Sequence, residues 1–277
     1  MASSMKKNRN KHHEQSPPAE EQLPMVDELR AAIGPLFGAL QTYCSDACLS
    51  RYLRARNWCV KKSEKMLRES IKWRASYKPE AISWEEVAME SETGKVYRAN
   101  FLDKFGRTVL IMRPSKQNTN CMDGQIKQLV FSMENAILNL PPNQEQMVWL
   151  IDFDGWTLSN SVPVKTARET ATILQNHYPE RLSLAILYNP PRIFEAFWLI
   201  VKPVLDPKTY QKVKFVYSKD AESLKLMDQL FDMDKLDFAF GGRHYEDFDF
   251  LEYQKRMLED EIKREGYWNL GSKKSKS

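Results

Sequence analysis

Met147-Val148-Trp149-Leu150-Ile151-Asp152 and Leu184-Ala185-Ile186-Leu187-Tyr188 decide the fold of this 277-residue chain. Both runs are short, β-rich and apolar almost without alternation, as expected of strands covered on both faces. Between them Val164, Ala167, Ala171, Leu174 and Tyr178 recur in helical phase, in a segment opened by Ser161 and Pro163. Upstream, residues 108–113 form another β-rich run, and Ile126, Leu129, Val130, Met133, Ile137 and Leu140 trace a helix between it and 147–152. A fourth β-rich run follows at 213–217. Strands alternating with helices at these intervals need crossover connections, so the expected fold class is α/β, with a mostly parallel sheet flanked by helices.

Ahead of this unit the pattern is helical throughout residues 26–90. Asp46 stands where a cap belongs, before Leu49, Tyr52 and Leu53, and Met66, Ser70, Trp73 and Tyr77 share one helix face. From Leu49 to Lys78 there are ten Lys or Arg against Glu64 and Glu69, so this region offers either a solvated helix face or a basic surface for phosphate-bearing groups. Four parts follow: a tail at 1–25, polar and Pro-containing and therefore expected to be disordered; the helical region 26–90; the α/β unit 91–247; and a charged helix with a Lys273, Lys274, Lys276 tail at 248–277.

Composition narrows the function. A net charge of +4 sets up no global field toward nucleic acid, and no nucleic-acid module accompanies the basic helices. No apolar stretch follows the first basic residues and none reaches the roughly 18 residues of a membrane span, so a soluble cytoplasmic protein is expected. Cys44, Cys48, Cys59 and Cys121 read as reduced thiols, and no metal site is expected, because neither the cysteines nor His12, His13, His177 and His244 show ligand spacing. Glycine-rich phosphate loops and Gly-x-Ser-x-Gly are missing.

One segment resists an ordinary reading. Within 193–205, Ile193, Phe194, Phe197, Trp198, Val201, Val204 and Leu205 form a wide stripe, and Leu199 and Ile200 fall outside it. A helix apolar nearly all round is either deeply buried or in contact with lipid. Outer helices of α/β folds normally show water a polar face. A lid with an apolar cavity on one side and a bilayer on the other accounts for both faces; a central core helix is the alternative.

The chain also resembles the CRAL-TRIO family, in its secretory phosphatidylinositol-transfer type. Leu53-Arg54-Ala55-Arg56 and Lys72-Trp73-Arg74 resemble that family's N-terminal helical region. Tyr178-Pro179-Glu180-Arg181, Asn189-Pro190-Pro191, Lys202-Pro203-Val204-Leu205-Asp206-Pro207 and Phe240-Gly241-Gly242 resemble its lipid-binding domain. In order, these pieces run from about residue 46 to 245. The resemblance implies a lipid cavity over the sheet, closed by a gate helix at 193–205 whose Phe194, Phe197, Trp198, Val201 and Leu205 face the cargo. It implies head-group contacts from Glu180, Lys212, Thr209, Arg56 and Arg181, and a flexible support at Gly241 and Gly242. The implied cargo is phosphatidylinositol, carried by a monomer that touches membranes transiently and needs no cofactor. The chemistry suits that ligand, since a phosphodiester takes a guanidinium or ammonium partner and inositol hydroxyls take a carboxylate. Asn57 departs from the basic residue that often follows the Arg56 position. Met147 and Trp149 stand where choline-binding members carry hydroxyls, which argues against phosphatidylcholine.

Two rivals remain. A carrier of a tocopherol, retinoid or sterol would use the same fold without a phosphate contact. A magnesium-dependent phosphatase would use Asp152 and Asp154, which end the strand as Asp-x-Asp-Gly with Ser218 after a later strand.

Overall fold

The computed structural model describes residues 17, 19–160, 163–245 and 247–273. Helices α1 (Ala19–Ile33), α2 (Ala39–Tyr43), α3 (Asp46–Ala55), α4 (Val60–Tyr77) and α5 (Trp84–Ser91) lead into strands β1 (Val96–Leu102) and β2 (Thr108–Met112). Then follow α6 (Met122–Leu138), β3 (Met147–Asp152), α7 (Val164–His177), β4 (Leu182–Tyr188), α8 (Arg192–Val201), α9 (Pro207–Gln211), β5 (Val213–Val216), α10 (Ala221–Leu230) and α11 (Phe250–Lys273). The sheet has five strands in the order β1-β2-β3-β4-β5; β1 runs antiparallel to β2 and the remaining pairs are parallel. The expected α/β architecture is therefore the one observed, with β1 added as an edge.

Strand order decides where the cavity can lie. Three crossovers of the usual right hand, each moving one strand onward, set α6, α7 and α8–α9 on the same side of the sheet. The opposite side is sealed: Val109, Ile111, Val148, Leu150, Ile186, Tyr188 and Val216 pack against Met227, Leu230, Phe231, Leu236 and Phe240. The alternate residues point the other way. Leu110 and Met147 meet Met133, Ala136 and Tyr178, while Leu187 meets Phe153, Trp156 and Phe194. Between these two clusters the helices leave space.

The N-terminal helices have a core of their own, in which Leu29, Cys48, Leu49, Leu53 and Leu67 are buried. Ser45 caps α3 by accepting the Cys48 amide at 3.4 Å, so Asp46 occupies the first turn and is not the cap. Part of the basic run of this region is internal wiring. Arg51 reaches Glu145 at 2.8 Å and Arg74 reaches Glu134 at 2.8 Å, with both arginines buried, and Arg54 shares Glu145. These pairs fasten α3 and α4 to the α/β unit, leaving Lys61, Lys62, Lys65, Arg68, Lys72 and Lys78 as the exposed part of the expected basic surface. Ser70 Oγ donates to the Asn176 carbonyl at 2.8 Å, and Trp73 stacks on His177 with centroids 4.3 Å apart.

At the chain ends the expectations are modified. Of the tail at 1–25, residues 1–16 and 18 lie outside the described set, and from Ala19 onward the chain is already helix, with Pro24 inside it. Ser161, Lys274 and Lys276 are also outside the described residues. The charged helix α11 is not simply solvated: Tyr253 and Met257 are buried beside Trp84 and Phe131, and Asp260 takes Arg98 at 2.8 Å.

Candidate functional site

A cavity of about 390 Å³ lies between the sheet and helices α6, α7 and α8. Its walls are apolar: Met112, Trp149, Ile151, Ala185 and Leu187 from the strands, Leu129 and Met133 from α6, and Ala171 and Leu174 from α7. Helix α8 closes the side beyond them. Phe194 is buried, with its ring 4.4 Å from Phe153 and 5.6 Å from Trp156, and Trp198 meets Phe215 at 5.8 Å. Phe197, Trp198 and Leu205 line the cavity itself, whereas Val201 is half-buried outside it. The outer face of the same helix is apolar and open to solvent, with Ile193 at 50%, Leu199 at 70% and Ile200 at 48% exposure. The core-helix alternative requires that face to be covered, and none of the described residues covers it.

α8 ends as its sequence dictates. Pro191 precedes it, Asn189 enters with a left-handed φ of 49° while accepting the Ser218 amide, and Pro203 interrupts the turn that follows. The chain then caps α9 with Asp206, which accepts the Thr209 amide at 2.9 Å. That short helix delivers Thr209 and Lys212 to the start of β5.

Four of the five expected head-group residues come together there. Lys212 Nζ lies 3.5 Å from Glu180 Oε2, and Arg56, Thr209, Glu180 and Lys212 all line one mouth of the cavity. Glu180 holds a left-handed φ of 59°, a conformation that side-chain-bearing residues seldom adopt and that concentrates at functional positions. Arg56 is the C-terminal cap residue of α3, so the N-terminal helices contribute directly to the mouth. Lys208, which the sequence reading passed over, lines the same mouth; its ammonium donates to the Arg54 carbonyl at 2.9 Å and to Asn57 Oδ1 at 2.6 Å. Asn57 is thus occupied in tethering α9 to α3. A lysine two positions before an N-cap-anchored Tyr210 turn carries no distinctive spacing, and only the fold brings it to Asn57.

The fifth residue stands apart. Arg181 donates to the Glu145 carbonyl at 2.9 Å and lines a different, polar pocket with Arg51, Arg74 and Tyr43. Burial, with Arg51 beside it, pushes its pKa down to about 10. The paired glycines are also placed otherwise than a flexible support requires. Gly241 occupies a left-handed turn, φ 81°, and a Cβ on Gly242 would collide with the Leu236 carbonyl. Both sit beside the sealed face, so they serve a tight turn and close packing. Asp152 is likewise committed: it accepts the Asp154 amide at 2.9 Å and faces Arg113 at 3.6 Å, while Arg113 also binds Asp237. Burial raises its pKa.

Of the two choline-relevant positions, Met147 is fully buried among Leu110, Met133 and Tyr178, and only Trp149 reaches the cavity. All four cysteines are free thiols, and no helix among the described residues is long and apolar enough to cross a membrane.

An α/β unit that keeps one sheet face dry and builds an apolar cavity with a charged mouth on the other can enclose an apolar ligand whose polar end stays at the mouth. Residues 91–242 match the CRAL/TRIO domain and residues 35–69 match the CRAL/TRIO N-terminal domain; the chain belongs to the CRAL/TRIO family. Its members are non-enzymatic carriers, which sets aside the phosphatase alternative. Among curated relatives, it is 33% identical over 212 residues to the CRAL-TRIO domain-containing protein C23B6.04c of Schizosaccharomyces pombe, covering 76% of this chain and 20% of that protein. It is 32% identical to the phosphatidylinositol transfer protein PDR17 of Saccharomyces cerevisiae, over 65% of this chain and 55% of that one, and 29% identical to the SEC14 cytosolic factor of Candida glabrata, over 72% and 70%. The matches therefore span one fifth and about half the length of the first two relatives. Among solved structures, Sfh5 superposes with a TM-score of 0.65 at 15% identity, over 90% of this chain and 99% of that one, which shows the fold.

Proposed function

We propose that the chain binds one phosphatidylinositol in the cavity under α8 and carries it between membranes, or presents it there. The observation that carries this reading is the group Arg56, Glu180, Thr209 and Lys212 at one mouth of an otherwise apolar cavity. Lys212 and Arg56 neutralise the phosphodiester, and Glu180 accepts from inositol hydroxyls, with Thr209 beside it. The acyl chains lie along Leu174, Ala171, Ile151 and Leu187.

Magnitude explains why a carrier is needed. About 30 acyl methylenes at roughly 0.8 kcal/mol each hold a phospholipid in a bilayer by on the order of 24 kcal/mol. An apolar cavity that opens only at the membrane removes most of that barrier. α8 suits such a gate because its outer face, Ile193, Leu199 and Ile200, gains by leaving water when it meets the bilayer. Contact with the membrane is therefore transient and peripheral. A monomer is sufficient for this cycle, and the similarity to a SEC14 cytosolic factor supports a cytosolic site of action.

Choline offers no hydrogen-bond donor, and Trp149 brings bulk where an oxygen would be needed. The test is side-by-side transfer of labelled phosphatidylinositol and phosphatidylcholine between vesicles of equal surface charge. Transfer of phosphatidylinositol at least about tenfold faster is expected, the effect of one charge-assisted hydrogen bond. Equal rates contradict the cargo assignment, and no transfer of either contradicts the carrier reading.

A further inference from the structure

The cavity has a second polar end. Besides the mouth at Glu180 and Lys212, its lining includes Lys95, Gln117, Gln125 and Gln128. Lys95 immediately precedes β1, and Gln117 follows the end of β2, whose Met112 pairs with Val96. Glu180 and Lys212 precede β4 and β5. The two polar ends therefore lie at opposite edges of the parallel strands and two or three strands apart, a diagonal on the order of 20 Å from strand spacing and rise. That is the reach of a long acyl chain or a fused-ring lipid, and both groups border one continuous cavity.

Side-chain hydrogen bonding at this end is lopsided. Each glutamine spends its amide protons on protein: Gln117 Nε2 donates to the Thr119 carbonyl at 2.8 Å, Gln125 Nε2 to the same carbonyl at 3.0 Å, and Gln128 Nε2 to Ser91 Oγ at 3.1 Å. Their three side-chain oxygens have no donor among the described residues. Lys95, only 3% exposed, pairs with Glu90, which also accepts Thr119 Oγ1 at 2.8 Å. That pair leaves the lysine two protons uncommitted, since an ammonium has three. Farther along the wall, the Trp149 indole N–H is buried with no acceptor. Polar groups placed against an apolar cavity cost free energy unless something bonds them.

We propose that this end is a subsite for a hydroxyl group carried at the far end of an apolar cargo. A hydroxyl donates one proton to a glutamine oxygen and accepts from Lys95, using both unmet functions at once. An anionic group fits poorly, because Glu90 already neutralises Lys95 and the remaining atoms are acceptors. A plain methyl terminus would leave the buried pair, the Gln128 oxygen and the uncommitted Lys95 protons, without a partner. The same chemistry comes from two sources, a hydroxylated acyl chain or a sterol-like ring alcohol. The proposal deepens the carrier reading and rests on its cavity.

Two probe pairs that differ only in the hydroxyl distinguish the sources: ω-hydroxypalmitate against palmitate, and cholestanol against cholestane. Tritiated forms are delivered from cyclodextrin to the full chain and titrated directly, independently of phospholipid transfer. In at least one pair the hydroxylated member is expected to bind about tenfold more tightly, as for one or two hydrogen bonds. The ratio should fall toward one in Gln117→Leu/Gln125→Leu, two half-buried positions, with the fold of the variant checked by thermal melting. Gln128→Leu, checked by thermal melting, is the second arm. Ratios near one for both pairs in the wild-type chain overturn the subsite, as does a ratio that survives all three glutamine changes. Failed phospholipid transfer alongside a hydroxyl preference would remove the cargo proposed above and leave this subsite standing.

Discussion

Replacing Leu199 and Ile200 together by glutamate separates a gate from a core helix, because both residues lie on the solvent face of α8 at 70% and 48% exposure. In solution the change touches little, and exposed substitutions of this kind alter stability by about 0.5 kcal/mol or less each. At a membrane the effect is larger. Fully burying a leucine or isoleucine is worth about 2 kcal/mol, so the area still exposed on the two is worth roughly 2–3 kcal/mol in a bilayer, or about 30- to 150-fold in partitioning. Two carboxylates in place of that area add a further penalty. Lipid loading from vesicles and vesicle co-sedimentation should therefore fall by at least about 30-fold, with the thermal melt shifted by only a degree or two. A lost melt would mean that the outer face is covered in the folded protein. An intact melt with undiminished loading would mean that α8 is not the element that meets the membrane.

Two further outcomes follow from named contacts. Lys212→Ala removes the ammonium 3.5 Å from Glu180, and because both side chains are partly solvated the folding cost should stay near 1 kcal/mol or below, while phosphatidylinositol transfer falls about tenfold or more; unchanged transfer by the folded variant would remove Lys212 from the head-group site. His177 is stacked on Trp73, and burial with Arg74 nearby lowers its pKa to about 4 from an ordinary 6.5. Its folded state thus prefers the neutral ring: that contribution is fully present above about pH 6.5 and is lost as pH falls toward 4, so denaturant midpoints should drop across that window in the wild-type chain and less in His177→Gln, whereas parallel curves would contradict the assignment.

The parallel part of the sheet was legible because β2, β3 and β4 are covered on both faces and so spell continuous apolar runs. β1 was not, since Arg98 and Asn100 break its run. Its signal was the alternation Tyr97, Ala99, Phe101 ahead of a turn closed by Gly106, the pattern of an antiparallel edge strand. The two-sided apolar character of α8 was legible from Leu199 and Ile200 lying outside the stripe, which is a property of one segment alone. The meaning of the arginines was not. Whether Arg51 or Arg74 points to solvent or to Glu145 or Glu134 depends on partners 94 and 60 residues away, and nothing local distinguishes them from Lys61 or Lys72. Arg181 next to Glu180 shows the same limit, because neighbours at the start of a strand point to opposite sides and here enter different pockets. The polar end at Lys95 escaped notice for a related reason: its residues come from the approach to β1, the loop after β2 and the first turns of α6, which only the fold assembles.

Native mass spectrometry of the full chain purified from a eukaryotic host tests the bound cargo most directly. One phosphatidylinositol per chain is expected, retained through gentle desolvation and lost in Arg56→Ala/Lys212→Ala while that variant stays folded. A wild-type chain that carries no lipid, or carries a lipid without an inositol phosphate in its place, would contradict the assignment of this cavity.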